Sequence, residues 1–208
     1  MIKGVSFDWN GTLSDDIQKV FSTSMKTVAR LGGRVLSFAE YRRMVKNPYM
    51  LFYRELGCKG TMADTNRWYW HYLAKSKVPV RLFPDAIQIL RFLKANNVRV
   101  GIVSSHPTKS IKKDSKGYGI MDCLDFIRGD VHTKGRHVRM FLERYRLRPR
   151  EVIFVGDMVN DIDEGKMCGV ITAAYLRGVD KKEKLLMAKP DIVLPNLSAL
   201  KRHITTKV

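Results

Sequence analysis

Four apolar runs in this sequence stop at side chains that are able to act on an anion. IKGVSFD (2–8) ends in Asp8, just before a Gly-Thr pair. VRVGIVS (98–104) ends in Ser104-Ser105, and EVIFVG (151–156) runs into Asp157. Lys134 follows DFIRG (125–129) and opens a helical pattern. In open α/β sheets, ligands bind beyond the carboxyl ends of the strands. A carboxylate, a hydroxyl, an ammonium and a second carboxylate cluster would therefore meet at one edge from four distant parts of the chain. That set suits phosphoryl transfer. A carboxylate attacks phosphorus to give an acyl phosphate, which divides one hard step into two. Nucleophile and phosphate repel each other unless cations intervene; Mg²⁺ held by carboxylates does this, with Lys134 as a second positive charge. The Ser104 hydroxyl and nearby main-chain N–H groups are placed to hold phosphoryl oxygens. Pro107 suits a helix start, whose free N–H groups also favour anions.

The elements that must position these residues follow from periodicity. Residues 2–8 form a buried strand. From about Asp15 to Lys77 the pattern is helical, over 15–31, 38–46, 49–57 and 63–77, broken at Gly32-Gly33, Pro48 and Gly57–Gly60. An all-helical stretch between two strands is expected to be an inserted cap. Alternation resumes at Pro84: in the helix 84–96, Ala86, Ile89, Leu90 and Leu93 make one apolar face. Strands at 98–104, 125–129, 151–156, 170–176 and 191–195 alternate with helices from Pro107, at 135–146, at 160–168 and at 197–204. β-Branched strands separated by helices predict a parallel sheet covered on both faces.

Composition excludes other classes. Hydrophobic residues make up 45% of the 208, enough for a packed core. No secretory leader and no bilayer-length apolar run is visible, so a cytoplasmic location is expected. Cys58, Cys123 and Cys168 are far apart and odd in number, which argues against disulfides or a zinc site. The net charge of +18 is unusual and would concentrate anions around the protein, whatever their class.

The motifs together resemble the haloacid dehalogenase superfamily. FDWNGTLSDD (7–16) is similar to its first motif, DxDGT, with the Leu and Asp of the phosphoglycolate-phosphatase-like branch. VGIVSSHP (100–107) resembles the second motif, Lys134 stands as the third-motif lysine, and VIFVGDMVNDIDEGKMCGV (152–170) resembles the fourth, GDxxxD. LFPDAIQILRFLKANNVRVGIVSS is similar to that branch's return from cap to core. The resemblance implies that Asp8 is nucleophile and metal ligand, with the Asn10 main-chain carbonyl and Asp157 as further ligands and Asp161 supporting the metal shell. It implies that Ser104 binds the phosphoryl group and Lys134 steadies nucleophile and phosphate. Trp9, Asn10, Ser104, Ser105 and Lys134 are the expected substrate contacts.

One position departs from the family. Its phosphatases carry Asp two residues after the nucleophile as general acid and base, and this chain has Asn10. A side-chain amide neither gives nor takes a proton at neutral pH. Three readings stand: a substrate with a good leaving group, such as an acyl phosphate; an engineered substitution; or binding retained at the expense of turnover. Phosphonoacetaldehyde hydrolases carry a similar DWAGT but use a cap lysine as a Schiff base. Among Lys26, Lys46, Lys59 and Lys75 nothing in the sequence selects one.

Lesser features have plainer readings. His132 is a near competitor of Lys134, and His106 is expected to cap the helix after Pro107. Lys109, Lys112, Lys113 and Lys116 recur on one helical face, and Arg136, Arg139, Arg144, Arg146, Arg148 and Arg150 form a second basic region. Cap aromatics (Tyr49, Phe52, Tyr53, Trp68, Tyr69, Trp70, Tyr72) are expected in the cap core. The expectation is thus an α/β three-layer Rossmann-like core, residues 1–14 and 81–208, with a mainly parallel sheet and a helical cap, residues 15–80. The expected function is Mg²⁺-dependent hydrolysis of a small phosphate ester or anhydride through an aspartyl-phosphate. The rival is an attenuated phosphate- or nucleic-acid-binding protein.

Overall fold

The computed structural model describes residues 1–131 and 133–205. In chain order, β1 (Gly4–Phe7) and β2 (Ser14–Asp15) precede α1 (Ile17–Arg30), α2 (Phe38–Met44), α3 (Tyr49–Glu55) and α4 (Met62–Lys75). Then come β3 (Arg81–Leu82), α5 (Ala86–Ala95), β4 (Arg99–Val103), α6 (Thr108–Gly117), β5 (Phe126–Arg128), α7 (Lys134–Tyr145) and β6 (Val152–Gly156). The chain continues through α8 (Val159–Met167), β7 (Ile171–Tyr175), α9 (Lys182–Met187), β8 (Ile192–Leu194) and α10 (Lys201–Thr205). It divides into two units, Met1–Asp15 with Leu82–Val208, and Asp16–Arg81.

The first unit is the α/β architecture expected from the strand–helix alternation. Its six-stranded sheet has the order β5-β4-β1-β6-β7-β8, and each adjacent pair is parallel. β1 is buried at every residue, which is why its four positions are apolar or small. Ala86, Ile89, Leu90 and Leu93 of α5 are fully buried and join Val5, Phe7, Val100 and Ile102 in one core cluster. Each such leucine or isoleucine contributes about 1.5–3 kcal/mol by leaving water. A second cluster, with Val138, Phe141 and Leu142 of α7 against Val103, Phe126, Val152 and Phe154, covers the other face. The strands after β1 go to both of its sides, so the end of β1 is a topological switch point.

The second unit is helical. α2 and α4 open with reciprocal capping boxes, Ser37 with Glu40 and Thr61 with Asp64. Of the aromatics expected in the cap core, Phe52 and Tyr53 are buried, Tyr49, Trp68, Tyr69 and Tyr72 are half-buried, and Trp70 is 44% exposed; Tyr41, also buried, lies with its ring centroid 5.6 Å from that of Phe52. Several elements were not anticipated, among them the two-residue strands β2 and β3. α9 is a six-residue helix in which Leu185 is the buried residue, too short to carry a period. The expected last helix begins instead as a 3₁₀ turn at Leu197–Leu200.

Candidate active site

Register brings the strand ends together. Phe7 pairs with Ile102 on one side and Val155 on the other, so Asp8, Ser104 and Asp157 all leave the sheet at its carboxyl edge. Asp8 keeps the strand direction for one more residue, since its amide donates to the Val155 carbonyl (2.9 Å). The chain then turns sharply. The Trp9 carbonyl accepts from the amides of Thr12, Leu13 and Ser14, at 3.3, 3.0 and 2.8 Å. Gly11, at φ +74°, allows that turn, and a side chain there would run into the Asp157 carboxylate.

Asp8, Asp157 and Asp161 offer carboxylate oxygens that lie within 4.8 Å of one another, all buried. Among them sits Lys134, the first residue of α7 and itself buried. Its Nζ is 2.9 Å from Asp8 Oδ2 and 2.5 Å from Asp161 Oδ1. Asp8 Oδ1 accepts the Trp9 amide at 2.7 Å. Asp161 Oδ2 accepts the Met158 amide at 3.1 Å, and Asp157 Oδ1 and Oδ2 accept Thr12 Oγ1 (2.8 Å) and the Val179 amide (2.7 Å).

Three carboxylates against one ammonium leave excess negative charge out of water. Burial pushes the Asp157 carboxyl well above the usual carboxylate range, and the Asp8 and Asp161 charges push it further. Burial raises Asp161 to about 6 against the pull of Lys134, with Asp8 adding to the rise. Burial lowers Lys134, but the Asp161 and Asp8 charges outweigh that and hold it above the ordinary lysine range. The lysine is therefore a fixed cation, and the carboxylates are short of one. A hard divalent cation on an all-oxygen donor set would relieve that imbalance.

The remaining expected residues fall in different places. Ser104 is fully buried where β4 ends, and its Oγ accepts the His106 amide at 3.3 Å. Ser105 is exposed, and Asn10 is half-buried in the turn after Asp8. The Trp9 indole packs into the hydrophobic core, so this residue meets the site through its main chain rather than its ring. His132 lies outside the described residues. At the start of α6 it is Asp130 that takes the Thr108 amide, at 3.0 Å, in the capping place expected of His106. Lys26, Lys46, Lys59 and Lys75 are all exposed, and Lys46 pairs with Glu55. None has the desolvated setting that activates an amine.

Sequence reasoning passed over Thr12, Val179, Asp180 and Glu164. Thr12 stands in the first motif, but its acceptor, Asp157, lies 145 residues on, so no local spacing announces the bond. Glu164 Oε2 accepts the Gly135 amide (2.5 Å), next to Lys134, and Oε1 accepts Asn160 Nδ2 (2.8 Å). No local pattern announces it.

Residues 5–175 match the family model described as haloacid dehalogenase-like hydrolase. A phosphoglycolate phosphatase of Yersinia pseudotuberculosis is 29% identical, over 96% of this chain and 91% of that protein. One from Synechococcus elongatus is 22% identical over 98% of each chain. Among solved structures, a haloacid dehalogenase-like hydrolase from Streptococcus pneumoniae superimposes with a TM-score of 0.85 at 21% identity. The match covers 98% of this chain and 99% of that one. With the motif order, the parallel core and the buried acidic edge in agreement, the chain belongs to the haloacid dehalogenase-like hydrolases.

Proposed function

We propose that this protein is a Mg²⁺-dependent phosphatase that hydrolyses a small phosphate ester or anhydride through an aspartyl-phosphate on Asp8. The observation that carries the reading is the buried set Asp8, Asp157, Asp161 and Lys134 at the sheet edge. Asp8, the Asn10 carbonyl and Asp157 would hold the metal, with Asp161 supporting it. When bound, Mg²⁺ supplies positive charge that lets the two anions approach. Lys134 contributes a second, permanent charge and fixes the Asp8 carboxylate by one oxygen, while the Trp9 amide fixes the other. Ser104 and the turn amides receive the phosphoryl oxygens. The helical unit is the cap that selects the substrate and excludes water. Phosphoglycolate, which the relatives' name supplies, is the first compound to test, beside acyl and aryl phosphates that leave without an acid. Among the described residues no helix is long and apolar enough to cross a membrane.

The direct test is turnover of an activated aryl phosphate. We expect slow hydrolysis that needs Mg²⁺ and stops on chelation; turnover indifferent to chelation would refute the metal's part.

Metal binding should also show in stability. Asp161 is raised from 3.8 to about 6, so its contribution to folding is full below 3.8 and is lost as pH rises through about 6. Mg²⁺ binds the ionised form. Its stabilising effect should therefore grow as pH rises through that window. At a hundredfold excess over Kd it amounts to about 2.7 kcal/mol, or roughly 5–10 °C in Tm. A Tm increment independent of pH across that window would count against this carboxylate set.

Charge favours a second reading, nucleic-acid binding. Lys109, Lys112, Lys113 and Lys116 are all exposed along α6, opposite the buried Ile111 and Ser115. Binding through them should weaken steeply with salt, because neutralised phosphates release counterions. Lys112→Glu with Lys113→Glu should reduce it and leave small-substrate hydrolysis unchanged. Absence of binding to single- or double-stranded DNA or RNA at low salt would dispose of this reading.

A further inference from the structure

The segment between β7 and α9 takes no part in the four motifs, yet it holds Asp157 closely. The Val179 amide donates to Asp157 Oδ2 (2.7 Å), and the Asp180 amide donates to the Asp157 carbonyl (3.2 Å). Gly178 lies so near that a side chain there would collide with the Asp157 Cβ. The Asp180 side chain is fully buried and turns the other way. Its Oδ2 accepts the amide of Val159, the first residue of α8, at 2.8 Å. Its Oδ1 accepts Lys184 Nζ, one turn into α9, at 2.6 Å.

One buried carboxylate thus joins three things: the loop gripping Asp157, the start of the helix carrying Asp161, and an ammonium that balances its charge. A helix start needs no partner from so far along the chain. A Ser, Thr, Asp or Asn just ahead of the helix does the local job, and here the residue ahead of α8 is Met158. Burying a carboxylate is costly unless it is paired and fully hydrogen-bonded, and Asp180 has both kinds of partner. What the arrangement adds is a fixed relation between Asp157 and Asp161, the two carboxylates on either side of the β6–α8 turn.

We propose that Asp180 is a positioning residue for the metal site, setting Asp157 and Asp161 so that their oxygens face one cation. The proposal rests on the reading of that cluster as a Mg²⁺ site. Residues that orient metal ligands typically cost 10–100-fold in metal affinity or activity when removed. Asp180 touches neither the substrate nor Asp8 in this account, so its loss should act through the metal.

The experiment is calorimetric titration of the full chain with Mg²⁺, for the wild type, Asp180→Asn, Asp180→Ala and Ile89→Val. Ile89 is a buried residue of α5 in the hydrophobic core, and its variant reports what mild destabilisation alone does to binding. We expect Asp180→Asn to bind Mg²⁺ about 10–100-fold more weakly, with Ile89→Val unchanged. At saturating Mg²⁺ the kcat of Asp180→Asn should return toward the wild-type value, a split that simple unfolding does not give. Asp180→Asn preserves the side-chain shape, so it carries the test if Asp180→Ala fails to fold. Wild-type affinity in Asp180→Asn, beside a wild type that binds Mg²⁺, would overturn the role of Asp180 alone. A wild type that binds no Mg²⁺ would overturn both this proposal and the metal site beneath it.

Discussion

Asn10→Asp is expected to accelerate hydrolysis of an alkyl phosphate by about 10²–10⁴, the usual contribution of a positioned general acid and base. Asn10 sits two residues beyond Asp8 in a turn whose main chain is pinned by the Trp9 carbonyl, so a carboxylate placed there should inherit a defined position. The Asp would protonate the leaving oxygen and then activate the water that cleaves the aspartyl-phosphate. Aryl and acyl phosphates should gain less in the first step, because their leaving groups depart without help. Mg²⁺ affinity should hardly change, since the metal contact proposed for this position is the main-chain carbonyl. Steady-state assays of both proteins on one alkyl and one aryl phosphate, with a Mg²⁺ titration, measure this. An Asn10→Asp protein no faster on the alkyl substrate would mean that another group is already the acid or that the site is not built for turnover.

Asp8→Ala should reduce Mg²⁺-dependent turnover to background, a loss on the order of 10⁴ or more. The fold should survive. Lys134 would keep Asp161 at 2.5 Å, so the buried ammonium is not left without a counter-charge. Removing the Asp8 charge also relieves one of the repulsions that raise Asp157. Circular dichroism and Tm establish folding, and the rate with and without chelator gives the effect. Turnover persisting in a folded Asp8→Ala protein would remove Asp8 from the chemistry.

The carboxyl-edge residues were legible because a parallel sheet makes strand ends converge whatever lies between them. Asp8, Ser104 and Asp157 need only their strands, and those strands are short buried runs of mostly apolar or small residues. Lys134 was legible as the opening of a helix, but its burial was not. That depends on Asp8 and Asp161 arriving from far along the chain to balance its charge. Trp9 shows the opposite failure. A large aromatic beside a nucleophile suggests a substrate contact, while the strand's alternation sends its ring into the core. Asp180 and Glu164 escaped notice because their partners, Val159 and Gly135, lie 21 and 29 residues away. Spacing rules see only neighbours. α9 was missed for a related reason: six residues with one buried leucine make no period.

Asn10 also makes the central claim unusually accessible. If Asp8 accepts the phosphoryl group and no general base stands two residues on, the aspartyl-phosphate should form faster than water removes it. The most direct measurement is acid-quenched mass spectrometry after incubation with an acyl or aryl phosphate and Mg²⁺. The peptide containing Asp8 should carry the mass of one phosphoryl group, more fully in the native sequence than in Asn10→Asp, and not at all in Asp8→Ala. Turnover with no phosphorylated Asp8 peptide in any of these proteins, or the same modification surviving in Asp8→Ala, would contradict the account.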